Sequence, residues 1–276
     1  MTLSPNEEIQ LCKAVVSRFT SSQRIFGETV RENSRNILKR FDDFSNTNKS
    51  SHIALTNRVL SKWQTFEAEK VKENHEIGNQ FNPLSFFKIQ ETQHSKLLGI
   101  LLQPWESHGQ GNAFLLSFLE LIGILTPEKG RWNVTIEKGR YDILLHRVEP
   151  KSVVIIENKS NNADDQPNQI YRYWYTAIHK RYTNLDYNDQ AVKDAFKILY
   201  LPSKEAKEPE EQSLTRPDDY PSNDPSLPKK VPLVFQTIDF NLQLSTWIAS
   251  LKTLVPTTNI RLRTYLDFYS ELCKSL

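Results

Sequence analysis

Two acidic residues stand in runs that should otherwise form buried strands. Asp142 lies in Arg140-Tyr-Asp-Ile-Leu-Leu-His146, and Val153-Val-Ile-Ile-Glu157-Asn-Lys159 closes on Glu157 and Lys159. A carboxylate on a buried strand is costly unless a cation compensates it. Strand side chains alternate with period two, so Glu157 and Lys159 project from one face while Asn158 points away. If the two runs pair as an antiparallel hairpin across Arg147-Val-Glu-Pro-Lys151, Asp142 comes beside Glu157 on that face. Two carboxylates that close raise each other's pKa unless a divalent cation sits between them. With a compact ammonium alongside, the set suits phosphodiester hydrolysis, which needs an activated water and a counter-charge for the phosphate. Magnesium prefers oxygen ligands and keeps several waters, so Asp142, Glu157 and the backbone carbonyl of Asn158 are the candidate metal ligands, with manganese as a substitute ion. Lys159 would orient or deprotonate the water and offset charge in the transition state. The bland alternative for Glu157 and Lys159 is an ion pair at a strand end, and the spacing alone does not decide between them.

These residues need a frame. From Trp132 the pattern is that of strands: Trp132-Asn-Val-Thr-Ile136, a turn at Lys138-Gly139, the run from Arg140, and a third strand ending at Asn158. Val153 to Ile156 is apolar at every position, which predicts cover on both faces. Pro167 suits the first turn of a helix from Asn168 to about Arg181. Phe196–Leu201 and Val234–Ile238 read as fourth and fifth strands. Between them, residues 202–232 hold seven of the fourteen prolines and an acidic bias, which predicts a long irregular loop or mobile lid. Upstream, Asn79-Gln-Phe-Asn-Pro83 is a break, followed by a helix from Leu84 to about Leu102 with Phe86, Phe87, Leu98, Leu101 and Leu102 among its core candidates, and a second helix from Gln110 to Ile124. Residues 1–80 read as a helical region, on the three-four spacing of Ile9, Cys12, Val15 and Phe19 and again of Leu55, Val59, Trp63 and Phe66. Residues 81–276 would then form the domain that carries the chemistry.

Composition fits a folded chain of 276 residues with 38% hydrophobic and 11% aromatic residues. The net charge of +2 favours no partner by itself, but Lys129 to Arg181 holds ten Lys/Arg against six Asp/Glu, an excess a polyanion would use. Cys12 and Cys273 form neither a zinc pattern nor a disulfide framework, and no apolar run reaches membrane length. The expectation is a cytoplasmic protein without a membrane segment. His94 and His108 lack a third histidine or cysteine at ligand spacing and read as structural.

Helix, hairpin, third strand, helix and fourth strand, with Asp142, fourteen residues, then Glu157-Asn158-Lys159, resemble the core of the PD-(D/E)XK nuclease superfamily. Glu91 with His94-Ser95, the His108-Gly-Gln-Gly111 turn, and Gln166-Pro-Asn-Gln169 followed by Tyr173 are similar to a bacterial branch of it. The resemblance covers about residues 84–275; Tyr141 replaces the proline that names the motif. It implies an α/β fold, a restriction-endonuclease-like mixed β-sheet of about five strands flanked by helices. It also implies a metal-dependent endonuclease, with DNA rather than RNA as the expected substrate, in defence against phage or other foreign DNA. Glu91 would be a further catalytic carboxylate, holding a water on the metal or Lys159, and Gln169 would lie near the scissile phosphate. Arg140, Arg172 and Lys180 are candidate backbone-phosphate contacts. Of the aromatic cluster on the helix, at most one or two rings can meet a base, with Tyr173 the candidate. The alternative is a catalytically silent nuclease-like module that binds nucleic acid or a protein partner, and the N-terminal helices could serve such a partner or a homodimer. A hydrolase for a small phosphoester would instead need a closed pocket. The geometric expectation is that Asp142, Glu157, Lys159, Glu91 and Gln169 converge on one side of the sheet in an open, basic groove.

Overall fold

Five strands form one mixed sheet in the order β1-β2-β3-β4-β5: β1 (Trp132–Lys138), β2 (Tyr141–Arg147), β3 (Ser152–Lys159), β4 (Phe196–Pro202) and β5 (Phe235–Thr237). The first three run antiparallel, while β4 is parallel to β3 and β5 to β4. The structure is a computed structural model and describes residues 6, 9, 10, 13, 14, 49–78, 81–138, 141–161, 164–182, 184–203, 207–220 and 227–276. Most of the N-terminal helical segments, the Gly139 turn and Arg140 lie outside the described residues.

The chain divides into two units, Met1–Phe81 and Asn82–Leu276. In the first, α1 (Lys49–Ile77) is a helix of 29 residues. It ends at Gly78, whose φ of +63° is the left-handed conformation of a helix terminator, and whose N–H returns to the Asn74 carbonyl at 2.8 Å.

In the second unit, alternation along the strands divides the core into two layers. Ile143, Leu145, Val154, Ile156, Leu199 and Leu201 pack with α2 (Glu91–Leu102), α3 (Ala113–Leu121) and the C-terminal helices. Leu144, Val153, Ile155, Ile198 and Tyr200 face α4 (Gln169–Trp174) and the π-helical turn Tyr175–His179 that continues it. β3 is buried at all eight positions: the apolar run Val153–Ile156 predicts this for its four residues, and Ser152, Glu157, Asn158 and Lys159 are buried with them.

Three elements differ from expectation. The helix predicted from Leu84 begins only at Glu91, because Asn82 caps a separate 3-10 turn (Pro83–Phe86) and anchors it to the Phe268 carbonyl at 2.8 Å. Phe86 and Phe87 are consequently 71% and 69% exposed and are not core residues. Second, the helix after Pro167 starts at Gln169 and changes to π-helical hydrogen bonding at Tyr175, so a uniform α-helical periodicity does not carry through to Lys180. Third, the described parts of the proline-rich segment are docked. Asn168 donates its N–H to Gln212 O and its side-chain amide to Thr215 O, both at 2.8 Å, around the short helix α6 (Glu211–Leu214) that follows α5 (Gln190–Ala195). Tyr171 O–H donates to Pro228 O at 2.8 Å. That segment therefore buttresses the helix that bears Gln169.

His94 is fully buried, with its ring against Phe240 and Tyr269 and neither nitrogen hydrogen-bonded. Burial disfavours the imidazolium and holds its pKa down at about 4. The unfolded chain protonates this residue near pH 6.5 and the folded chain only near 4, so unfolding takes up a proton between those values. Stability should fall by about 3 kcal/mol as pH drops through that window. Urea denaturation at pH 7 and pH 4.5 should show most of this loss in the wild type and not in His94→Leu; equal losses would assign the effect elsewhere.

Candidate active site

The register of β2 and β3, with Ile143 opposite Ile156, brings Asp142 level with Glu157 at the open end of the hairpin. Asp142 Oδ2 accepts the Asn158 N–H at 2.6 Å, which ties the end of β2 to β3 through a side chain. Glu157 and Lys159 share the α4 face of β3, and Lys159 Nζ lies 2.9 Å from Glu157 Oε1, both side chains being buried. Gln169, the first residue of α4, brings its Oε1 to 3.4 Å from the same ammonium and donates through Nε2 to the Tyr173 hydroxyl at 2.8 Å. Tyr173 is itself buried, edge-on to Tyr141. Its ring is thus covered, and its hydroxyl serves to orient Gln169.

Asn158 points to the opposite face, and the reason is visible there. Its side-chain amide donates to Glu91 O at 2.8 Å and to Ser95 Oγ at 2.9 Å, fastening the first turn of α2 to the end of β3. Glu91 is thereby held close enough for its charge to act on both Asp142 and Lys159. The expected five residues do meet, but not all from one side of the sheet. The α2 helix belongs to the core layer opposite α4, so Glu91 reaches the cluster around the strand ends.

The charge of the site also differs from expectation. Asp142, Glu157, Glu91 and two residues the sequence did not single out, Glu137 and Asp165, gather about Lys159, and Lys96 acts on Glu137 at the edge of the group. Glu137 stands level with Asp142 in the β1-β2 register and holds a φ of +48°. Asp165 is 5% exposed and lies 3.6 Å from Lys159 Nζ. The immediate surroundings are acidic, and part of the basic excess counted along this segment is structural. Arg147 is buried over Trp132 and spends its guanidinium on the carbonyls of Leu125, Thr126 and Lys129 and on Ser152 Oγ. Arg172 pairs with Asp219 at 2.8 Å, and Lys180 is exposed just beyond the π-helical turn. A cavity of about 300 Å³ lined by Trp105, Leu116, Arg131 and Trp132 contains none of the cluster residues.

Burial is the main reason that Asp142 and Glu157 hold their protons above the ordinary carboxylate range. The charges of Glu137 and Glu91 add to it at Asp142, and those of Asp142 and Asp165 at Glu157; Lys159 opposes both. At Lys159, burial pulls the pKa down, but Glu157, Asp165 and Glu91 outweigh it and the ammonium is raised. Among the described residues no three His, Cys, Asp or Glu side chains form a ready metal cage. The donor set nevertheless suits a hard cation that takes few protein ligands. Glu157 Oε2 and Glu91 Oε1 are both buried without a hydrogen-bond partner, and an orphaned carboxylate oxygen in a crowd of carboxylates is one a divalent ion would satisfy.

No curated protein and no solved structure matches the chain. The family model of the PD-(D/E)XK nuclease superfamily matches residues 79–269, a span that contains every strand of the sheet and every residue of the cluster. The chain belongs to the PD-(D/E)XK nuclease superfamily.

Proposed function

We propose that the chain is a Mg²⁺-dependent endonuclease that hydrolyses phosphodiester bonds of DNA, with Mn²⁺ able to replace Mg²⁺. The observation that carries this reading is the Glu157 carboxylate, which engages Lys159 through Oε1 and leaves Oε2 buried and unpartnered beside Asp142. Asp142, Glu157 and the Asn158 carbonyl would hold the ion, with Glu91 close by. When bound, the ion would supply a Lewis acid for the phosphate and a water of lowered pKa.

The rest is done by the chain. Asp142 fixes the strand ends by accepting the Asn158 N–H, so the two carboxylates are presented together. Lys159 keeps its proton in this acidic setting and acts as a fixed cation, orienting the attacking water and offsetting charge on the phosphate oxygens. Gln169, held by Tyr173, restrains the ammonium and offers an amide toward the substrate. Arg140 and Lys180 are the phosphate contacts proposed outside the cluster, and action against foreign DNA is the context that the family resemblance suggests.

The test is incubation with linear, circular and single-stranded DNA and with RNA, in Mg²⁺ or in EDTA. Cutting of circular DNA in Mg²⁺, lost in EDTA and in Glu157→Ala, is expected. Cleavage that survives either treatment would overturn the assignment. Salt-dependent DNA binding without cleavage on any substrate would point to the silent module.

A further inference from the structure

We propose that Asp165 is the positioning residue of the Lys159 ammonium, a second carboxylate that holds the cation in place when Glu157 is shared with a metal ion. Its kinetic arm rests on the nuclease reading above. Asp165 has its side chain wholly removed from solvent, and a buried carboxylate is retained only where its charge and lone pairs are answered. Oδ1 accepts the Tyr200 hydroxyl at 3.2 Å, and Oδ2 accepts the Glu210 N–H at 2.7 Å. Lys159 Nζ lies 3.6 Å from Oδ1. Tyr200 sits on β4 directly opposite Glu157 in the parallel register, so the support for Asp165 comes from the strand beside the site. Glu210 immediately precedes α6, so the same carboxylate ties the docked proline-rich segment to the ammonium.

The arrangement answers a problem that the Glu157–Lys159 pair creates. Glu157 is asked both to ligate a cation and to hold Lys159 at 2.9 Å, and charge given to one is withdrawn from the other. The other groups within hydrogen-bond reach of Nζ, the Asp164 carbonyl and Gln169 Oε1, are neutral and each 3.4 Å away, and Glu91, which also acts on the ammonium, is itself placed near the ion. Asp165 is the carboxylate beside the ammonium that is not assigned to the ion.

Asp165→Asn removes the charge and keeps an oxygen that can accept from Tyr200 or Glu210. Its Tm should fall modestly, from the one acceptor lost, and its KM for DNA should match the wild type, while kcat falls about ten- to a hundredfold, the cost of a misplaced catalytic group. A second readout does not depend on cleavage. A buried ammonium held by carboxylates exchanges slowly and gives a ¹H–¹⁵N cross-peak, here assigned by its absence in Lys159→Met. That peak should shift or broaden beyond detection in Asp165→Asn. A variant that cleaves at the wild-type rate, or that keeps the wild-type cross-peak, overturns the proposal. If the wild type cleaves nothing, the nuclease reading fails and the cross-peak still decides this one. If Asp165→Asn does not fold, Tyr200→Phe removes the hydroxyl donor with both charges in place; a moved Lys159 peak then supports the assignment and an unmoved one overturns it.

Discussion

Lys159→Ala should lower DNA cleavage by about two to three orders of magnitude while leaving divalent-cation binding intact. The ammonium is buried among Glu157, Asp165 and Gln169, so its position is fixed before any substrate arrives. A preorganised charge of this kind costs no reorganisation in the transition state, and its removal is felt in kcat. Cation affinity should hold or rise, because Glu157 Oε1 is released from its lysine. The same release leaves two buried carboxylates without their counter-charge, and the metal-free variant should lose about 3 kcal/mol of stability. Lys159→Arg should not restore the rate: a planar guanidinium is larger than an ammonium and directs its donors in a fixed fork. Single-turnover cleavage, titration calorimetry with Mn²⁺ and denaturant unfolding measure the three effects. A variant that cleaves normally, or one that loses cation binding together with cleavage, would remove Lys159 from the role assigned to it.

What could be read in the sequence was set by local periodicity. Asp142, Glu157 and Lys159 were legible because a carboxylate interrupts an apolar strand and because alternation fixes which neighbours share a face. Gln169 was reached through the family resemblance, and the helix that Pro167 announces only supplies the element that carries it. Asp165 gave no such signal. It stands in a polar connection after Lys159, and its burial is created by Tyr200 and Glu210, 35 and 45 residues further along the chain. Glu137 was hidden by a different cause, since its relation to Asp142 depends on the β1-β2 register. In the aromatic run on α4 the sequence leaves at most one or two rings for a base, and the packing of Tyr173 on Tyr141 covers the ring singled out for it. Exposure of Phe86 and Phe87 was likewise unreadable, because it follows from Asn82 being fastened to Phe268, 186 residues away.

Asp142→Asn should separate the function of the cluster from the stability of the fold. In the absence of a cation, Asp142 faces the charges of Glu137, Glu91 and Glu157, and burial adds to the cost of ionising it. Both Asp142 and Glu157 hold protons above the ordinary carboxylate range, so the folded chain binds more protons than the unfolded one as pH rises through that interval, and metal-free stability falls. Asparagine removes one charge from the cluster and still offers an oxygen to the Asn158 N–H, now held at 2.6 Å. At pH 8 without metal the variant should therefore be more stable than the wild type by about 1–2 kcal/mol, with a flatter dependence on pH. Added Mn²⁺ should reverse the order. The wild type should gain about 2.7 kcal/mol at a hundred times its dissociation constant, and the variant much less. Cleavage by the variant should fall by about three orders of magnitude, as for loss of a principal electrostatic contribution to the transition state. Thermal denaturation at pH 6 and pH 8, with EDTA or Mn²⁺, reads the stability changes in one series, and a Mg²⁺-dependent DNA cleavage assay reads the rate. A metal-free Asp142→Asn less stable than the wild type, or one that Mn²⁺ stabilises equally, would mean that the carboxylates are held for the fold and not for a cation.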